Sequence, residues 1–388
     1  MNRHMYRYLL AAGLSFGLSV SLASAAPLYP LRNEARQTVA EVNPERYFQP
    51  RAGDLQGYRL ETDPVLLAQV ARSTLDYLEQ HAVDDPDAVQ PGLLSTRGVT
   101  LEDVKQTLRF IVRIQAEDQQ AGRASRLNQE AFLNRHFRFF SWQADQAGAA
   151  QHKLQLPDSR IRLTRYLVFE AEGSPVKTAE KNCALYALPA EESDLSADQA
   201  EARRQQLIRY RYTKQQVLAG ALQSHGVKPL VWVSRQGLED ALMQGSLKVR
   251  MPDGHSRMFN VHRNNGIAYD RQIRDPRQQK RYWYFREVAG IQGYGKDEKI
   301  IVQPAVTVAG DVYNLGLGKL VALSWGQGGQ SHLRLAVLAD TGGAFIPNLY
   351  QLDYLAGVFP DRESFRRGVQ HLPEFVQASI LLLRTDHH

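Results

Sequence analysis

The chain has 388 residues, of which 43% are hydrophobic and 23% charged, a globular balance that excludes a disordered or low-complexity protein. A formal charge of +6 favours an anionic partner, and a single cysteine, Cys183, excludes an internal disulfide. At a soft prior of ~100–200 residues per domain, two or three modules are expected.

In chain order, Arg3 and Arg7 precede a short apolar run that ends at the small residues Ala23-Ser24-Ala25. This pattern predicts a cleavable secretory signal over 1–25, with a mature chain from Ala26 in the periplasm. The run is shorter than the ~20 residues a membrane span needs, and no later segment supplies one. No cysteine follows the run, so a lipid-modified N-terminus is not expected. Export makes an acidic cell-wall polymer a more accessible anion than nucleic acid. The basic runs "QQLIRYRYTKQQ" and "RQIRDPRQQKRYWYFRE" read as solvated faces more readily than as a binding site.

Residues 26–157 are expected to form a helical N-terminal region. The runs "PVLLAQVARSTLDYLEQHA", "TLEDVKQTLRFIVRIQAEDQQ" and "LNQEAFLNRHFRFFSWQAD" place apolar residues at three- and four-residue spacing. Thr100 and Asp103 read as a capping box. Phe137, Phe139, Phe140 and Trp142 read as core rather than as an aromatic sugar platform.

Beyond Pro157 the pattern changes to short β-type runs separated by Gly, Pro and Asn, which predicts barrels rather than a doubly wound sheet. "MPDGHS" and "RNNGIA" carry the pairs favoured in tight hairpins. One long helix is expected across "SADQAEARRQQLIRYRYTKQQVLAGALQSHG" and another across "RESFRRGVQHLPEFVQASILLLR". The fold class is mainly β with a helical N-terminal region, an α+β chain.

The run "RLAVLADTGGAF" ends an apolar strand in Asp340-Thr341-Gly342, as an aspartic protease presents a carboxylate. That chemistry needs two carboxylates sharing a proton. The chain has no second copy, and Gly343 stands where such enzymes carry Ser or Ala, so only a dimer would serve. Asp311 opens a turn before another apolar strand, and Asp353 sits in "QLDYLAG", which gives aspartates at the ends of consecutive strand-like segments. Asp311 and Asp340 read equally as turn caps, and Gly342 and Gly343 as backbone geometry.

This spacing resembles the three-aspartate domain of the membrane-bound lytic murein transglycosylase A family. "LTRYLVFEAEG" and "CALYALP" are similar to its Thr-Gly-Tyr-Tyr segment and the strand that follows; "YTKQQVLAGAL" is similar to the helix before its second domain. "LEDALMQGSLKVRMPDG" and "RNNGIAY" resemble its Gln-Gly-Ser-Gly strand with hairpin and its Asn-Gly-x-x-Tyr. The resemblance implies a double-psi β-barrel with an inserted smaller β-domain: barrel segments 158–168 and 297–388, insert 169–296. It implies peptidoglycan glycan strands as the partner and a lytic transglycosylase reaction, cleavage of the MurNAc-GlcNAc β-1,4 bond to 1,6-anhydroMurNAc ends. No cofactor and no metal are expected.

By the same resemblance Asp353 is the catalytic acid, Asp340 and Asp311 are supporting carboxylates, and Tyr166, Thr164, Gln244, Gly245, Ser246, Asn265 and Tyr269 bind substrate. Arg165 stands in place of a family glycine and Leu247 in place of another. These departures leave open a catalytically inactive polysaccharide-binding protein on the same barrel.

Overall fold

The structure, a computed structural model, describes residues 27–270, 272–296, 299–342 and 346–384. The expected signal segment and Gly343 lie outside them.

Residues 27–62 form strands where helix was expected: β1 (Tyr29–Arg32), β2 (Thr38–Val42), β3 (Phe48–Arg51) and β4 (Tyr58–Leu60). Helix α1 (Pro64–Gln80) begins at Asp63, whose carboxylate accepts the amides of Val65 and Leu66. Helix α2 (Leu101–Gln120) begins at the capping box of Thr100 and Asp103, present as expected. Leu67, Val70 and Leu78 of α1 and Val104, Leu108 and Ile111 of α2 are fully buried in one cluster with the barrel strands described below. The helices therefore have no core of their own.

After the short helix α3 (Glu130–His136) the chain turns into strand β5 (Phe137–Trp142), then helix α4 (Gln146–Gln151). The expected helix through Trp142 is thus corrected. Phe137, Phe139, Phe140 and Trp142 are core, but on a strand paired along both edges and packed on both faces. A run that is apolar on both sides does not show the two-residue period that distinguishes strand from helix.

Strand β6 (Ile161–Ser174) is followed by β7 (Cys183–Tyr186), α5 (Ala197–Ala202), α6 (Lys214–Leu218), β8 (Pro229–Val233) and α7 (Arg235–Gln244). The long helix expected over this stretch is broken because Arg209, between α5 and α6, is buried against the Glu192 carboxylate at 2.8 and 2.9 Å. Tertiary pairing overrides local helical spacing there.

Next come β9 (Ser246–Arg250), β10 (Ser256–Asn264), β11 (Trp283–Val288), β12 (Ile291–Gln292), β13 (Ile301–Val302) and β14 (Thr307–Ala309). The "MPDG" hairpin joins β9 to β10 as expected, closed by Met251 N donating to His255 O at 2.8 Å. "RNNG" instead opens a long connection to β11. The chain ends with α8 (Val312–Leu315), β15 (Leu320–Gln327), β16 (Gln330–Asp340), β17 (Gln351–Phe359), α9 (Arg362–Val369) and β18 (Phe375–Leu383). Only the first part of the expected terminal helix is helical; Phe375–Leu383 is a strand whose Val376, Ala378, Ile380 and Leu382 are buried while Gln377 is exposed.

Strands β6, β17, β14, β16, β15 and β18 pair in that order, and β18 returns to β6, which closes a barrel with mixed parallel and antiparallel neighbours. Closure leaves the ring itself without an edge, while the sheet continues through β9, β10 and β11 on one side and β5 and β3 on the other. Strand β6 leaves the barrel while still extended: Arg162–Phe169 pair with β17, and Phe169–Glu172 pair with β9 of the insert. A second buried cluster, from Leu167 to Phe285, belongs to that insert. The fold is thus the expected barrel with an inserted β-domain. Among the described residues no helix is long and apolar enough to cross a membrane.

Candidate active site

The floor of the candidate site is built where β16, β14 and β17 lie side by side. Ala309 of β14 is in register with Asp340 on one side and with Asp353 on the other. The small side chain of Ala309 stands between two carboxylates. On the far side of β17, Asp353 is in register with Thr164 of β6.

The two aspartates differ in how their oxygens are used. Each oxygen of Asp340 has a donor: Tyr166 Oη donates to Oδ2 at 2.7 Å and the Thr341 amide to Oδ1 at 2.8 Å. Asp353 Oδ1 is buried with no hydrogen-bond partner among the described residues. Burial raises the Asp353 carboxyl to about 6, opposed by the Thr164 hydroxyl, reinforced by the charge of Asp340 and opposed by Arg165. Burial likewise raises Asp340 to about 6, opposed by the Tyr166 hydrogen bond, the Thr341 amide and the charge of Lys299. Donors that stabilise a carboxylate favour its ionised form, and both oxygens of Asp340 have one whereas Asp353 Oδ1 has none.

The remaining sequence-derived candidates divide into two sets. Thr164 accepts from Gln351 Nε2 at 3.0 Å and donates to Leu352 O at 3.2 Å, beside Asp353. Gln244, Gly245 and Tyr269 line a cavity of about 450 Å³ on the insert, together with Val261, Arg281 and Trp283. Gly245 caps α7 at φ 79°, a left-handed conformation that glycine adopts without strain. The Arg281 guanidinium lies over the Trp283 ring at 4.6 Å, which leaves an aromatic and cationic wall.

Three candidates are displaced from open surface. Asp311 is fully buried, where Asn314 N donates to Oδ1 at 3.1 Å and Asn314 Nδ2 and Asn348 N donate to Oδ2 at 2.7 and 2.9 Å. It caps α8 and binds the loop before β17, so its oxygens hold Asn314 and the backbone of Asn348. Ser246 is buried, its hydroxyl accepting from Asn260 Nδ2 at 2.9 Å. Asn265 is buried, donating to Tyr212 O at 2.9 Å and accepting from Tyr282 N at 3.0 Å, which ties the ends of the loop to β11.

Of the two departures, Leu247 is fully buried in the core of the insert and does not reach the groove. Arg165 turns to the carbonyl oxygens of Leu372 and Pro373. Sequence reasoning missed Gln351, Trp283, Arg281 and Lys299. Gln351 lies two residues before Asp353, on the same side of an alternating strand, which was a readable signal. Lys299 carried none.

No protein-family model matches the chain, and no curated protein matches it. Solved structures do. The membrane-bound lytic murein transglycosylase of Agrobacterium tumefaciens aligns with TM-score 0.55 at 16% identity over 83% of this chain and 93% of that one. MltA of E. coli with bound chitohexaose aligns with TM-score 0.54 at 15% identity over 87% and 95%. MltA of Neisseria gonorrhoeae, in a monoclinic form, aligns with TM-score 0.51 at 14% identity over 84% and 89%. At these identities the likeness establishes the fold.

Proposed function

We propose that this protein is a peptidoglycan lytic transglycosylase that cleaves the β-1,4 bond between N-acetylmuramic acid and N-acetylglucosamine. The observation that carries the reading is the unpartnered, buried oxygen of Asp353 beside an Asp340 whose oxygens are both occupied by donors. A hydrolase of the usual kind needs two working carboxylates, one of them free to attack or to activate water. Here only one carboxylate has an open oxygen, and that suits a reaction whose nucleophile belongs to the substrate.

Asp353 donates its proton to the glycosidic oxygen as the C1–O4 bond breaks. The muramyl C6 hydroxyl attacks C1, the C1–O6 bond forms, and the C6 hydroxyl proton passes to Asp353. No water enters, and the acid ends in its starting state. Asp340, held ionised by Tyr166 and Thr341, raises the affinity of Asp353 for its proton and offsets positive charge developing at C1. The cavity around Gln244, Tyr269 and Trp283 supplies an aromatic wall for sugar rings away from the cut. A related fold holding chitohexaose supports glycan as the ligand class.

We infer the same setting from the N-terminus: an exported, periplasmic protein whose +6 charge suits the anionic wall. The test is digestion of purified sacculi followed by mass spectrometry. The expected product is 1,6-anhydromuropeptide; reducing muropeptides, or no release, would refute the reading.

A further inference from the structure

Lys299 lies outside every sequence motif, yet it joins the two buried clusters. The adjacent backbone is fixed on the barrel side, where Ile300 N donates to Tyr294 O and Gly293 N to Ile300 O, both at 2.8 Å, and Ile300 is fully buried in the barrel cluster. The side chain crosses to the insert, where Nζ donates to Asn260 Oδ1 at 3.0 Å and to Val261 O at 3.5 Å. Asn260 is buried and uses its amide nitrogen on Gly245 O at 2.8 Å and on the Ser246 hydroxyl at 2.9 Å. A chain of polar contacts therefore runs from the barrel through Lys299 and Asn260 to the edge of the glycan cavity.

Resting on the reading of Asp353 as the acid, we propose that Lys299 is a positioning residue for the reaction: it ties the Gly245–Ser246 edge of the insert to the barrel and presents its ammonium to Asp340. Tyr294, whose carbonyl receives Ile300 N, donates its own amide to Ala339 O at 3.0 Å, so Lys299 stands beside the end of β16 that carries Asp340. The groups facing Asp340 are Tyr166 from β6, the Thr341 amide and Lys299. Those facing Asp353 are Thr164 and Arg165 from β6 and Asp340 from β16. Those facing Lys299 are Arg286 from β11 and Asp340. Lys299 supplies a positive charge that favours the ionised Asp340.

The chain of effects has a definite sign. Without the ammonium, Asp340 is harder to ionise, so near neutral pH it exerts less like-charge repulsion on Asp353. Asp353 then gives up its proton at lower pH. The insert edge also loses its tether, which weakens glycan binding.

Carbon-13 titration of the aspartate carboxyls in the whole protein tests this without relying on turnover. In Lys299→Met the Asp340 titration should move up and that of Asp353 down, by ~0.5–1 unit each, and Lys299→Arg should move both back toward wild type. Should Lys299→Met fail to fold, Lys299→Gln, which retains a donor for Asn260 without the charge, is expected to give the same shifts. Unchanged titrations in a folded neutral variant, with or without a loss of thermal stability, would overturn the proposal. In sacculus digestion the alkaline limb of activity should shift to lower pH and KM should rise. If wild type releases no 1,6-anhydro product, the acid role of Asp353 falls, while the titrations still decide whether Lys299 acts on the pair.

Discussion

Asp340 and Asp353 approach Ala309 from opposite sides, one on β16 and one on β17, each in register with that alanine. The two are separated by 12 residues of sequence, yet the barrel brings them into each other's field and gives them different hydrogen-bonding environments. The proposed mechanism builds its different roles for these two chemically identical side chains on that asymmetry.

Asp353→Asn preserves size but removes the only proton available to the leaving oxygen. General acid–base assistance is worth about 10²–10⁴-fold, and one group doing both transfers should lie near the upper end. Release of 1,6-anhydromuropeptides should fall by that factor while binding to sacculi persists. Activity equal to wild type would remove Asp353 from the reaction.

Asp340→Asn and Tyr166→Phe should act on the pH profile. The first deletes the like charge that raises Asp353; the second deletes a donor that favours ionised Asp340. In both, Asp353 loses its proton at lower pH, so the alkaline limb moves to the acid side. Rate against pH on solubilised glycan measures the displacement, and a limb that stays in place counts against the pair.

Asp311→Ala should damage the fold and spare the chemistry. It leaves the Asn348 amide and both donors of Asn314 without their acceptor in a fully buried place. A cost of about 1–3 kcal/mol is expected for such unmet groups, read as a lower urea midpoint. The pH profile of the remaining folded enzyme should match wild type.

Lys319 tests the reverse side of burial. It is enclosed by Phe48, Leu93, Leu94, Leu315 and Ile380, its amine has among the described residues one hydrogen bond, to Gly316 O at 3.5 Å, and burial pushes it down to about 7. Between pH ~7 and the ordinary lysine value near 10.4, the unfolded chain holds a proton that the folded chain does not, so the penalty falls as pH rises. Lys319→Met should therefore raise thermal stability most below pH 7, with the gain shrinking at higher pH. An equal gain at all pH values would show that the amine is not what costs stability.

The sequence alone determined the elements whose signals are local. The capping box at Thr100 and Asp103, the helices begun at Asp63 and Thr100, the Pro-Asp-Gly hairpin between β9 and β10 and the motif order around Asp340 and Asp353 were all readable from neighbouring residues. Tertiary structure decided the rest. Phe137–Trp142 became a strand because β18 and β3 pair with its two edges, and Phe375–Leu383 because it pairs with β15, β5 and β6; those partners lie far away in sequence. Asp311, Ser246 and Asn265 carry the right side chains in the right order, but whether such a group meets substrate or a backbone amide depends on the face it is turned to. Lys299 gave no signal, because its partners Asn260 and Asp340 lie about forty residues away on either side and come within reach only when the insert folds against the barrel.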